Sequence, residues 1–193
     1  MAQNTNQQAR TVTTIDRGKL DVKALVLLAV LLAAGFILNF TVGKAISGAT
    51  GGVISPEFII SAFCLTILVV RPNLGQALII GLVSAAVIQI TTTSPLIDFA
   101  AEGIAAMIMA AIVKAGMRGS AKNFIPAIGT FVTTVISGVI FMVIKLAVMG
   151  FAPEVVAVLP AAMLPVIFAT GVFNAVLVGA LYIPIKGALK VTD

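Results

Sequence analysis

A few polar side chains stand inside otherwise apolar runs of this sequence, and any chemistry must begin with them. Lys145 sits in VISGVIFMVIKLAVMG, Glu102 in FAAEGIAAM, Asn174 in ATGVFNAVLVG, Gln89 in AAVIQITTT and Asn39 in GFILNFTVG. An ionisable or amide group at depth in an apolar helix is costly, so each is a candidate for substrate contact. Each also has a plainer role. Lys145 either snorkels to headgroups or offers a fixed positive charge to a substrate carboxylate or similar anion. Glu102 either compensates the dipole of its helix or touches substrate, and Asp98 is expected to cap that helix. Asn174 bonds either a neighbouring helix or a ligand. Gln89 and Asn39 are weaker cases of the same kind, and Glu57, after Ser55-Pro56, reads as a first-turn acid. A cation and an anion in one pocket would suit a zwitterion such as an amino acid, or would simply pair with each other.

What the sequence lacks narrows the chemistry. It has no His and a single Cys, Cys64, inside Ala62-Phe63-Cys64-Leu65. No metal site and no resident cofactor are therefore expected, and Cys64 reads as a small buried hydrophobe. There is no GxxxxGK[ST] loop for ATP hydrolysis, no HExxH, no His-based triad and no paired-acid motif, so the chain is not read as an enzyme. The net charge of +5 comes from basic residues scattered between apolar runs, which argues against a nucleic-acid surface.

The elements that carry these residues follow from composition. Of 193 residues 60% are hydrophobic and 10% charged, with a mean hydropathy of +1.18. Soluble domains run near 25% charged, and a globule of this size has no core large enough for so much apolar surface. Lipid is the solvent. Measured against the roughly 20 apolar residues of a spanning helix, six runs stand out, at 23–42, 54–71, 74–93, 98–117, 125–150 and 160–187. The expected fold is an all-α integral membrane protein, a six-transmembrane-helix bundle forming one domain over 23–190. Residues 1–22 read as a polar cytoplasmic tail without the apolar core and A-x-A site of a cleaved signal peptide. The Gly-bearing stretch 41–55 reads as a long loop, either a lid over bound solute or a flexible connector.

Loop charge sets the orientation. With the N-terminus inside, Arg10, Arg17, Lys19, Lys23, Arg71, Lys114, Arg118, Lys122, Lys186 and Lys190 all face the cytoplasm, and only Lys44 lies outside. Both termini are thus predicted to be cytoplasmic, with Glu102, Lys145, Gln89 and Asn39 in the outer half of the membrane. Small residues spaced four apart let helices approach closely. Ala29 and Ala33, then Ala101, Ala105, Ala106 and Ala110, then Gly171, Ala175 and Gly179 form such faces. Each serves either internal packing or docking of another subunit.

The run KALVLLAVLLAAGF with its Ala29-xxx-Ala33 face, preceded by a basic stretch and followed by a glycine-bearing loop, resembles the substrate-binding S components of energy-coupling factor (ECF) transporters. LTILVVRPNLGQALIIGLVSAAVIQITTTSP and VFNAVLVGALYIPI are similar to the tryptophan-uptake branch of that group. The resemblance spans 23–187. It implies a multi-pass subunit of a bacterial cell membrane that binds a small-molecule micronutrient and docks on a transmembrane coupling subunit and two ATPase subunits. A tryptophan-like amino acid is the first solute it suggests, and a vitamin such as cobalamin or pantothenate the second. By the same analogy Lys145 would hold a carboxylate, Glu102 an ammonium and Asn174 a polar group, while Ala29 and Ala33 would face the coupling subunit. A small homo-oligomeric channel or exporter, and a structural membrane subunit without ligand, are the competing classes.

Overall fold

The computed structural model describes residues 22–52, 56–92, 94–117, 119 and 122–189, which form helices joined by turns, with no strand among them. The expected tail lies outside the described residues apart from Val22. The first helix, α1 (Val22–Leu38), is apolar apart from Lys23 but buries only Ala24, Leu28, Leu32 and Gly35. Their spacing of four, four and three keeps them on one seam. At Gly35 the seam meets the start of the next long element so closely that a Cβ would lie 3.0 Å from the Phe58 carbonyl oxygen.

The stretch read as a loop from residue 41 is largely helix. After α1 the chain widens into one π turn (Asn39–Gly43) and continues as α2 (Lys44–Ala49), a single 28-residue apolar rod from Val22 to Ala49. Thr41 donates its hydroxyl to the Ile37 carbonyl at 2.7 Å, satisfying a group that the π turn loosens. Gly43 and Gly48 hold ordinary helical backbone; only Gly51 and Gly52, at φ +62° and +83°, make the turn that sequence composition suggested for the whole stretch. Residues 53–55, and with them part of the expected lid, lie outside the described residues.

The next helix, α3 (Phe58–Val70), inverts the pattern of α1. It is only 13 residues long, and every residue from Phe58 to Val69 is buried. At 1.5 Å per residue it is about 20 Å long, short of a hydrocarbon core of about 30 Å. It ends as the sequence proposes. Arg71 turns left-handed at φ 52°, Pro72 blocks continuation, and Asn73 caps α4 (Leu74–Ile88). Asn73 Oδ1 accepts from the Gln76 amide at 2.9 Å while Gln76 Oε1 accepts from the Asn73 amide at 3.0 Å, a reciprocal capping box.

Three longer helices complete the chain: α5 (Ile97–Gly116), α6 (Ile125–Val148) and α7 (Pro153–Ala188). The break expected between the last two shrinks to a turn at Gly150 and Phe151, both at positive φ, and α7 begins at Pro153 instead of residue 160. Proline at the first helical position forfeits no hydrogen bond, which is why the helix starts there. At 36 residues α7 is about 54 Å long, and it contains Pro160, Pro165 and Pro184. All its buried residues lie from Ile167 onward.

α3 is the axis of the bundle, packed by α1, α4, α5, α6 and α7, while α4–α5, α5–α6 and α6–α7 pack as chain neighbours. Its Phe63, Ile67 and Leu68 meet Ile80, Met109 and Val178 in the main core. A smaller apolar cluster of Met142, Leu146 and Ile167 joins α6 to α7. Of the six runs expected to span, four are long and apolar enough to cross a membrane, namely Val22–Ala49, Ile97–Gly116, Ile125–Val148 and Pro153–Ala188; α3 and α4 are shorter apolar helices.

Candidate functional site

A polar interior gathers where the N-terminal end of α3 meets α5, α6 and α7. Placing Glu102 in α5 depends on backbone closeness: at Gly81 of α4 a Cβ would fall 2.5 Å from the Glu102 carbonyl oxygen and 2.8 Å from Ala106 Cβ. The Ala101-Ala105-Ala106-Ala110 face is accordingly buried inside the bundle. α6 contributes four buried hydroxyls, Thr130, Thr133, Thr134 and Ser137, at spacings that hold them on the interior side. Thr130 returns its hydroxyl to its own helix, at Pro126 O, 2.7 Å. Thr133 bonds Met109 Sδ at 3.4 Å, and Cys64 lies fully buried beside these threonines, as its sequence context suggests.

Two of the residues singled out from sequence meet here. Ser137 Oγ donates to Glu102 Oε1 at 3.2 Å. Asn174, fully buried on α7, donates through Nδ2 to the Glu57 carbonyl and to Thr134 Oγ1, both at 3.3 Å. One turn into α3, Ser61 donates its backbone amide to that same Glu57 carbonyl at 3.2 Å. Three atoms remain without a hydrogen-bond partner although buried: Ser61 Oγ, Glu102 Oε2 and Asn174 Oδ1. Buried polar groups are nearly always paired, and these three unpaired ones sit on α3, α5 and α7, the helices joined by the Glu57, Thr134 and Ser137 contacts.

The carboxyls of Glu57, Asp98 and Glu102 lie near one another at this end of the bundle. Among the described residues no group of three or more His, Cys, Asp or Glu could hold a metal ion.

Beside the cluster a groove of about 170 Å³ is lined by Phe36, Asn39, Phe40, Lys44, Glu57 and Thr91, among others. Asn39 therefore reaches a cavity, on the π turn of the first rod. Glu57 belongs to both groove and cluster. It occupies the N-cap position of α3 without a side-chain capping bond, so it is not the first-turn acid expected from sequence. Lys44, across the groove, lies over the Phe40 ring at 4.1 Å from its centroid.

The remaining candidates lie elsewhere or are otherwise engaged. Lys145 is two turns beyond Ser137 on α6, about 12 Å further along the axis. It is half-buried, with Nζ 5.7 Å from the Phe141 ring centroid. Lys44 and Glu57 both line the groove. Gln89 holds the α4–α5 connection together: Nε2 donates to Asp98 Oδ2 at 3.1 Å and to Ala85 O at 3.3 Å, while Oε1 accepts from the Leu96 amide at 3.0 Å. Its capacity is used by structure. Asp98 is a buried first-turn residue, and Leu96, at φ 72°, takes the N-cap position predicted for it.

Ser61, Thr134 and Ser137 were not singled out from sequence. The hydroxyls of TFVTTVISG recur three and four apart, a stripe that could have marked the interior face of α6. Ala29 and Ala33 are exposed on α1, on the side away from its buried seam. No family model, no curated protein and no solved structure matches the chain.

Proposed function

We propose that the chain is the solute-binding membrane subunit of an importer energised by separate ATPase subunits, working in the manner of the S components it resembles. The observation that carries this reading is the set of three open buried polar atoms on Ser61, Glu102 and Asn174, together with a groove that shares Glu57 with them. An apolar bundle that leaves such atoms unpaired gives up stability of about 1–3 kcal/mol per group, and a bound small molecule that pairs them restores it. In this reading the six apolar helices lie in the bilayer of a bacterial cell with both termini cytoplasmic. The groove then opens outward, and α3 and α4 are membrane-embedded helices shielded by the longer ones.

The solute is a small nutrient with a polar head for the cluster and an apolar body for the groove walls at Phe36 and Phe40. Partner subunits provide the ATP-driven step, because the sequence holds no phosphate-binding loop. The test is thermal unfolding of the purified chain in detergent against a panel of amino acids and vitamins. A true ligand at a hundredfold excess over its Kd adds about 2.7 kcal/mol to the native state and raises the midpoint. A panel without a single shift, or uphill accumulation of solute by vesicles holding this chain alone, overturns the reading.

A further inference from the structure

We infer that the cluster at the head of α3 is a cradle for a primary ammonium group, so that the solute enters amine first. The inference rests on the solute-binding reading and narrows it to one chemical class. Its basis is a match of number and kind. A primary ammonium carries three N–H donors, and three buried oxygens stand open: Ser61 Oγ from α3, Glu102 Oε2 from α5 and Asn174 Oδ1 from α7.

The direction of the Asn174 amide is fixed by its partner. The Glu57 carbonyl can only accept, so Nδ2 must face it and Oδ1 must be the atom left open. Asn174 Nδ2 is engaged twice, and the Ser137 hydroxyl is given to Glu102 Oε1. A carboxylate or phosphate would find a single open donor here, the Ser61 hydroxyl, and would lie beside the Glu102 carboxyl.

One carboxyl and two neutral oxygens suit a single ammonium, which would hold that carboxyl in its ionised form. Calcium takes six to eight oxygens, commonly with several carboxylates, and among the described residues no group of three or more His, Cys, Asp or Glu could hold a metal ion. A quaternary ammonium carries no N–H and leaves all three oxygens unpaired. Glu57 is shared between cluster and groove, and in this inference the groove walls at Phe36 and Phe40 take an apolar or aromatic body behind the amine.

The experiment uses the full chain in detergent micelles at neutral pH, with benzylammonium chloride as probe. Benzyl alcohol, benzoate and benzyltrimethylammonium are run beside it at equal concentration. Benzylammonium is expected to raise the unfolding midpoint and the other three to leave it within error. Glu102→Gln, which keeps the shape and one hydrogen bond, is expected to weaken benzylammonium about tenfold or more, and Ser61→Ala about threefold to tenfold. Circular dichroism checks that each variant folds; should Glu102→Gln not fold, Ser61→Ala decides.

Equal stabilisation by benzyl alcohol or benzoate, or an unchanged benzylammonium affinity in the variants, overturns the inference. So does a midpoint raised by sodium chloride over choline chloride together with loss of the benzylammonium shift, which would make this an inorganic cation site. The two failures are separable. If a neutral or anionic nutrient stabilises the chain regardless of Glu102, the ammonium cradle falls and solute binding stands. If no member of the wider panel acts, solute binding itself falls.

Discussion

α1 and α3 are both almost wholly apolar, yet one lies mostly open and the other wholly enclosed. The 17 residues of α1 bury four, while the 13 of α3 bury twelve. In water such a contrast would be unstable, because α1 would carry its outward side of Val22, Val26, Val30 and Ile37 at a large cost. In lipid that side costs nothing. Apolarity therefore says that a helix is in the membrane, and something else decides whether it is in the centre. Here the deciding features are shortness and company. α3 is too short to span alone, and it starts where buried polar groups from three other helices need partners.

The contrast is broken most severely at Phe63. Its side chain is fully buried at the axis, and Phe63→Ala is expected to cost about 3–5 kcal/mol in thermal or denaturant unfolding in micelles. Val30→Ala on the open side of α1 is expected to stay within about 0.5 kcal/mol. Similar effects at the two positions would mean that α1 is buried in the assembled protein.

A smaller effect is expected where helices α4 and α5 nearly touch. Gly81→Ala places a methyl against the Glu102 backbone and Ala106, and about 1–3 kcal/mol should be lost. Because Glu102 is carried on that same backbone, the substitution should also weaken any ligand that Glu102 holds. Gly48→Ala is the sharpening control. It lies in helix with nothing within 4 Å of the added Cβ, so a gain of about 0.4–1 kcal/mol is expected from unfolded-state entropy alone. Loss at Gly48 would show that helix α2 is covered.

Apolar runs and helix-breaking dipeptides were enough to announce the helices, because hydropathy and the Arg71-Pro72-Asn73 turn act locally. Glu102 and Asn174 were legible for the same reason, as polar letters in apolar words. What could not be read depends on packing between segments far apart. The glycines at 43 and 48 look like loop residues until Pro56 O is seen 3.5 Å from a Cβ at Gly43, with the chain held helical around it. The start of α7 moved to Pro153 because proline stops a helix in the middle but not at its first position. Lys145 and Glu102 seemed natural partners by charge. The α6 residue that bonds Glu102 is Ser137, two turns before Lys145 on the same helix.

The least change in stability, and the most informative change in function, is expected on the open side of α1. Small residues at Gly81 and Ala106 bring α4 against α5, whereas the equally small Ala29 and Ala33 are exposed. Under the proposed function that exposure is the seat of the coupling subunit. Ala29→Trp and Ala33→Trp should then leave the unfolding midpoint of the isolated chain within about 0.5 kcal/mol of wild type. They should still abolish co-purification of ATPase subunits from cells that express the whole importer. Ligand binding by the variants should be unchanged, since neither residue is on the Glu57 side of the bundle's interior cluster. Retained ATPase subunits would assign this face to lipid. Lost stability would assign it to a contact within the chain, and in either case α1 would no longer be the docking helix.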